Sequence, residues 1–218
     1  MGIFRNKQVD IPQRTIEDLK NITKILFIDD QSFNVVQDLK EKDGWKNVCR
    51  IRDVDSLSQT EVKEAHIIFV DIQGVGKKMG FQDEGMGLIE ALRETYPEKK
   101  IIMYSAESKG KIDALHPSGN LVDYRLRKTA KRYEFESVIE LFAKESFYLD
   151  NCILHIKEAL QREIGVSKSE AEIKGIIEKI YSSGKSIDAP AIAKAFNLNN
   201  VGSAASIIQL FLLPFSLS

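Results

Sequence analysis

His66-Ile67-Ile68-Phe69-Val70-Asp71 is a short, β-branched apolar run that ends in a single carboxylate and gives way to a glycine-rich loop, Ile72 to Gly87. An uninterrupted run of this length suits a strand buried on both faces, as in a parallel sheet. A buried helix segment has a similar composition, but this run is too short and is too soon broken by Gly74 and Gly76. Asp71 therefore stands at the carboxyl end of a strand, where open α/β sheets place their ligands.

Upstream, Lys24-Ile25-Leu26-Phe27-Ile28 is a second apolar strand, and it ends in a carboxylate pair, Asp29-Asp30. A helix is predicted from Ser32 to Glu41, with Phe33, Val36 and Leu39 at helical spacing and Gly44 closing it. A weaker strand, Asn47 to Arg52, leads to a short helix over Ser56–Glu64 that Ser56 or Ser58 would cap. Downstream, Leu88 to Thr95 reads as helix, stopped before Pro97. The strand Lys100 to Tyr104 ends in Ser105-Ala106. A short helix and a turn at Pro117-Ser118-Gly119 precede a last strand, Leu121 to Arg127, which runs into Lys128. Strands alternating with helices in this way predict a five-stranded, doubly wound parallel sheet of the flavodoxin-like kind over residues 23–145. Residues 1–22 read as a polar lead-in with a short helix at Thr15–Asn21.

From Tyr133 the pattern changes to an apolar stripe: Phe135, Ile139, Phe142, Leu149, Ile153, Ile156 and Leu160. It predicts one long helix, or two consecutive ones broken at Phe147–Asn151, and a seam through residues 135–160 for a homodimer. Residues 146–218 are expected to form a helical output or interaction region. Gly165 ends its first section, and Ser167-x-x-Glu170 reads as a capping box. Asp188 with Pro190 reads as a further helix start. Asn199-Asn200 makes a turn before a final apolar helix from Ser203 to Pro214. That layout resembles a helix-turn-helix, but a recognition helix needs basic or amide side chains, and Val201–Phe215 offers only Gln209. The apolar Leu210-Phe211-Leu212-Leu213 run favours a protein partner over nucleic acid.

Composition narrows the classes further. The 218 residues carry 31 basic and 32 acidic side chains, so no global field draws nucleic acid or an anionic membrane. The two cysteines, Cys49 and Cys152, have neither metal-ligand nor disulfide-framework spacing. Nothing in Met1–Asp10 resembles a signal core, and Asn6 stands where myristoylation wants Ser or Thr. The apolar stretch Ile207–Phe215 is too short to cross a bilayer. A cytoplasmic protein is expected. His66 is expected to pack or cap its strand start.

Four predicted strand ends thus carry polar groups: Asp29-Asp30, Asp71, Ser105 and Lys128. In a parallel sheet these meet along one edge. The chemistry that wants such a set is phosphoryl transfer to a carboxylate. Oxygen ligands would hold a hard divalent cation such as Mg²⁺, a lysine would offer a point charge, and a hydroxyl a hydrogen bond.

Ile28-Asp29-Asp30-Gln31, Phe69-Val70-Asp71, Tyr104-Ser105-Ala106 and Leu126-Arg127-Lys128-Thr129 resemble the response-regulator receiver domain of two-component signalling. The resemblance implies that Asp71 is a phosphoacceptor and that Asp29, Asp30 and Asp71, with the backbone carbonyl of Gln73, bind Mg²⁺. It implies that Ser105 and Lys128 meet the phosphoryl group, that the donor is a sensor histidine kinase or a phosphotransfer protein, and that the chain is not an enzyme beyond slow self-catalysed phosphorylation and dephosphorylation. The chain departs from the family's pattern in three places. Gly74-Val75-Gly76 and a longer loop replace a Met-Pro, Thr129 follows Lys128 where a proline is usual, and Arg125 occupies the switch-aromatic position. A receiver-like interaction module that works without phosphorylation is the alternative those departures raise, and a DNA-binding regulator is a third.

Overall fold

The computed structural model describes residues 14–106, 121–183, 188–198, 208 and 211–212. They fall into two compact units. The first is Ile16–Ser146; the second holds the described residues from Phe147 onward, together with Arg14 and Thr15.

In the first unit the elements run α1 (Ile16–Ile22), β1 (Lys24–Ile28), α2 (Val35–Glu41), β2 (Asn47–Ile51), α3 (Thr60–Glu64), β3 (Ile67–Asp71), α4 (Gly85–Thr95), β4 (Lys100–Ser105), β5 (Tyr124–Arg127) and α5 (Arg132–Ser146). The strands form one five-stranded parallel sheet in the order β2-β1-β3-β4-β5. That is the flavodoxin-like order, with its switch point between β1 and β3. Every residue of β3 is buried, as its continuous apolar run requires.

Side chains of alternating direction build two cores. Leu26, Ile28, Ile68, Val70, Ile101 and Met103 pack with Val62, Leu88, Ile89 and Leu92 on the side of α3 and α4. On the other side an aromatic cluster forms. Phe27 and Phe69 stack at 4.4 Å, and Phe33, Tyr104 and Phe135 close around them. Such pairs add about 0.5–1.5 kcal/mol each beyond their area burial.

Several boundaries differ from the sequence reading for identifiable reasons. α1 belongs with the sheet rather than with a separate lead-in, because Leu19 is buried and the Lys20 carbonyl accepts from the Lys46 amide. Phe33 lies outside α2, its ring stacked on Tyr104 instead. Ser56 and Ser58 do not cap α3; their hydroxyls bond one another, and Gln59 takes the cap position. The expected helix and turn around Pro117 lie outside the described residues. His66 caps the strand start, its Nδ1 accepting from the Lys24 amide at 2.9 Å.

The second unit contains α6 (Leu149–Ile164), α7 (Glu170–Ser182) and α8 (Ala189–Phe196). Two helices, α5 and α6, therefore take the place of one long one, with Tyr148 extended between them at ψ 147°. Phe135, Ile139, Phe142, Ile153, Ile156 and Leu160 are all buried in the single chain. Gly165 ends α6 in the left-handed region, φ 66°. The capping box forms two residues along from the predicted one, at Ser169 and Glu172, where the same Ser-x-x-Glu spacing recurs. Asp188 caps α8 as expected, accepting from the Ala191 amide at 2.8 Å. The turn at Asn199-Asn200 and most of the final helix lie outside the described residues. Among the described residues no helix is long and apolar enough to cross a membrane.

Candidate functional site

The register of the sheet brings the strand ends together. Ile28 lies beside Val70, Asp71 beside Tyr104, and Ser105 beside Arg127. Beyond the end of β5, the Lys128 amide still donates to the Ser105 carbonyl at 2.8 Å, which carries the lysine side chain back over the sheet edge. Its ammonium lies 2.5 Å from Asp71 Oδ2 and 3.1 Å from Asp29 Oδ2. Lys128, rather than Arg127 or Lys131, is thus the cation at this edge.

The acidic pair divides its work. Asp29 is 1% exposed, and both its oxygens are occupied. Oδ1 accepts from the Gln31 amide at 2.9 Å and from Lys128 at 3.2 Å, while Oδ2 accepts from the Tyr104 hydroxyl at 2.7 Å. Asp30 is exposed and makes no hydrogen bond or ion pair among the described residues. Asp29, Asp30 and Asp71 each bring a carboxylate oxygen within 4.8 Å of the others. Two ligands on opposite sides of one Mg²⁺ lie about 4.2 Å apart, so small side-chain adjustments close this set around a hard cation. Ser105 is buried at the same edge.

Burial raises the Asp71 pKa against the lowering effects of the Lys128 hydrogen bond and charge and of the Gln73 amide; the neighbouring Asp29 raises it further. Burial works against the charge of Lys128 too, but hydrogen bonds and charge from Asp71 and Asp29 outweigh it, and its pKa is raised. Tyr104 is raised far beyond the ordinary range, by burial first and then by Asp29, so its hydroxyl stays a donor.

Four residues at this edge were not singled out from the sequence. Tyr104 points opposite to Ser105, into the aromatic cluster, with its hydroxyl on Asp29; a buried tyrosine needs a partner for that group. Asp53, just past β2, ties down the long β3–α4 loop: its carboxylate accepts from the Gly76 and Lys78 amides. Gly85 packs so closely on the Asp71 carbonyl that an added Cβ would lie 2.0 Å from it. Glu84 accepts from the Gly74 amide at 2.5 Å and pairs with Lys77 at 3.1 Å. The loop is folded rather than merely solvated, because Val75 is fully buried in the α3–α4 core and Met79 and Phe81 pack on it. Lys77 and Lys78 stay on its outside in ion pairs with Glu84 and Asp55. At the departures noted in β5, Arg125 is half-buried and Tyr124 is 42% exposed, edge-on to Phe142 at 6.3 Å.

Sheet order and strand ends together define a flavodoxin-like α/β unit with a carboxylate–lysine cluster at the carboxyl edge of its sheet. Among solved structures, similar folds include a response regulator from Thermotoga maritima (19% identical, covering 56% of this chain and 97% of that one, TM-score 0.42). A CheY-like receiver domain protein from Methanospirillum hungatei JF-1 is 17% identical over 57% of this chain and 96% of that one, with TM-score 0.44. The receiver domain of NtrX from Brucella abortus is 21% identical over 56% of this chain and 98% of that one, with TM-score 0.44. These likenesses concern the fold of just over half the chain and leave the C-terminal helical region unassigned. No family model and no curated protein matches the chain.

Proposed function

We propose that the chain is a response regulator whose Asp71 accepts a phosphoryl group from the phosphohistidine of a sensor kinase or phosphotransfer protein. The observation that carries this reading is the Lys128 ammonium 2.5 Å from the Asp71 carboxylate at the carboxyl edge of the sheet, with the open carboxylate of Asp30 beside it. In the transfer, an Asp71 oxygen forms the new O–P bond as the N–P bond of the donor breaks, and the imidazole departs with the electron pair. Lys128 supplies positive charge to the phosphoryl oxygens, and the Ser105 hydroxyl a hydrogen bond. Asp29, Asp30, Asp71 and the Gln73 carbonyl would hold Mg²⁺, and Asp29 also orients Lys128 beside them. When bound, the cation offsets the charge that gathers on the phosphoryl oxygens. The chain turns over no substrate of its own beyond slow formation and loss of this acyl phosphate. The output passes through protein contacts of the C-terminal helices rather than through DNA, and the setting is cytoplasmic.

The test is intact mass after incubation with a small phosphodonor and Mg²⁺. A single phosphoryl adduct is expected, absent from Asp71→Asn. Undiminished labelling of that variant would overturn the assignment of Asp71. Failure of the parent protein to label, whatever the donor, would favour a receiver-like module that works without phosphorylation.

A further inference from the structure

Glu84 has a backbone that its residue type does not favour. It stands at the N-cap of α4 at φ 48°, ψ −124°, a conformation outside the usual left-handed well and natural only to glycine. Such outliers persist where the surroundings demand the side chain. Both oxygens of this side chain are committed: Oε1 pairs with Lys77 at 3.1 Å, and Oε2 accepts from the Gly74 amide at 2.5 Å.

The Gly74 N–H belongs to the same peptide unit as the Gln73 carbonyl. That unit is planar and trans, so fixing the N–H on Glu84 turns the carbonyl to the opposite side. A negatively charged acceptor on the N–H also polarises the peptide and makes its carbonyl oxygen a stronger donor to a cation. Two carboxylates of the site lie on the flanks of this unit, one against the preceding peptide and one against the Gly74 Cα. The Gln73 amide donates to Asp71 Oδ1 at 3.3 Å, and a Cβ on Gly74 would come within 2.5 Å of Asp30 Oδ2.

We infer that Glu84 is a positioning residue for the metal site: it clamps the Gln73–Gly74 peptide so that the Gln73 carbonyl stands ready as a polarised oxygen ligand beside Asp30 and Asp71. This rests on the proposed use of that carbonyl toward Mg²⁺. The clamp gives a role to a glutamate whose backbone conformation would suit glycine without strain.

The experiment is a calorimetric Mg²⁺ titration of the full chain and of Glu84→Gly and Glu84→Gln, with thermal unfolding followed in metal-free buffer. Glu84→Gly removes the clamp and the backbone strain together. Its Mg²⁺ Kd should rise about tenfold or more, while its metal-free Tm stays within roughly 5 °C of the parent's, because the released strain offsets the lost Gly74 hydrogen bond. Loss of a residue that merely braces the fold would lower the Tm and leave the Kd near the parent's. Glu84→Gln keeps the acceptor but not the charge, and its Kd should rise by about threefold. Mg²⁺ affinities equal to the parent's in both variants would overturn the inference and leave the site standing. A parent chain that binds no Mg²⁺ would overturn the reading of the site itself, and the clamp with it. Should Glu84→Gly not fold, Glu84→Gln decides.

Discussion

Tyr104→Phe isolates one hydrogen bond. The tyrosine ring sits among Phe27, Phe33, Phe69 and Phe135, with centroids 5.7 to 6.4 Å away, and phenylalanine keeps all of those contacts. What disappears is the hydroxyl, which donates 2.7 Å to Asp29 Oδ2 in a buried setting. A hydrogen bond to a charged group contributes about 1.5–3 kcal/mol to stability. Lys128 also reaches that oxygen at 3.1 Å, so the carboxylate is not stripped bare and the cost should fall near 2 kcal/mol. For a unit of this size that is a Tm lowered by roughly 5–12 °C. Trp45 is the only tryptophan, is fully buried, and lies in the sheet unit, so its fluorescence in a urea titration reports that unit's unfolding. Tyr124→Phe, at a position 42% exposed, is the control and should stay within about 0.5 kcal/mol of the parent. A Tyr104→Phe protein equally close to the parent would refute the claim that this hydroxyl holds Asp29 in place.

Three further outcomes follow from the same edge. Gly85→Ala places a methyl 2.0 Å from the Asp71 carbonyl, so β3 and α4 must separate; a loss of about 2–3 kcal/mol in the same urea assay is expected, and a neutral result would contradict the packing described. Because burial raises the Asp71 pKa, the fold favours its neutral form. A carboxyl with a raised folded-state pKa contributes stability below its unfolded pKa and loses it as pH rises through the folded value. Asp71→Asn should therefore be more stable than the parent at neutral pH, with the gap closing as the pH falls through the folded Asp71 pKa; an Asn variant less stable than the parent at pH 7 would reverse the sign. Protonation also removes the nucleophile, so labelling by a small phosphodonor should fall on acidification at a higher pH than an ordinary carboxylate would give.

The strands and their terminal residues were readable because burial on both faces leaves a continuous apolar run, and a parallel sheet gathers the ends of such runs on one edge. Asp71, Asp29, Asp30, Ser105 and Lys128 followed from that rule, and the structure brings them to a common edge. Asp53 obeys the same rule at the end of β2 and could have been found by it, but β2 is an edge strand with alternating exposure and a weaker signal. The reading of α4 failed for the opposite reason. Glycines at 85 and 87 count against a helix by propensity, and the apolar spacing predicts a start only at Leu88. Yet α4 begins at Gly85, because only glycine can lie against the Asp71 carbonyl, and Gly87 likewise gives room to the Phe81 ring.

Glu84 was hidden more deeply. Its role depends on a backbone angle that composition and periodicity do not carry, and it acts through the peptide of a residue ten positions earlier. The long loop that replaces Met-Pro is for that reason part of the site's construction and not a decoration on it. Asp53 anchors its middle, Val75 buries its centre, and Glu84 fixes its first peptide where a cation would be held. A loop pinned at three points resists displacement more than a short solvated one. Under the proposed function, phosphorylation of Asp71 would therefore have either to break one of those ties or to act on Lys128, Ser105 and Tyr104, whose ring belongs to the aromatic cluster with Phe135 of α5.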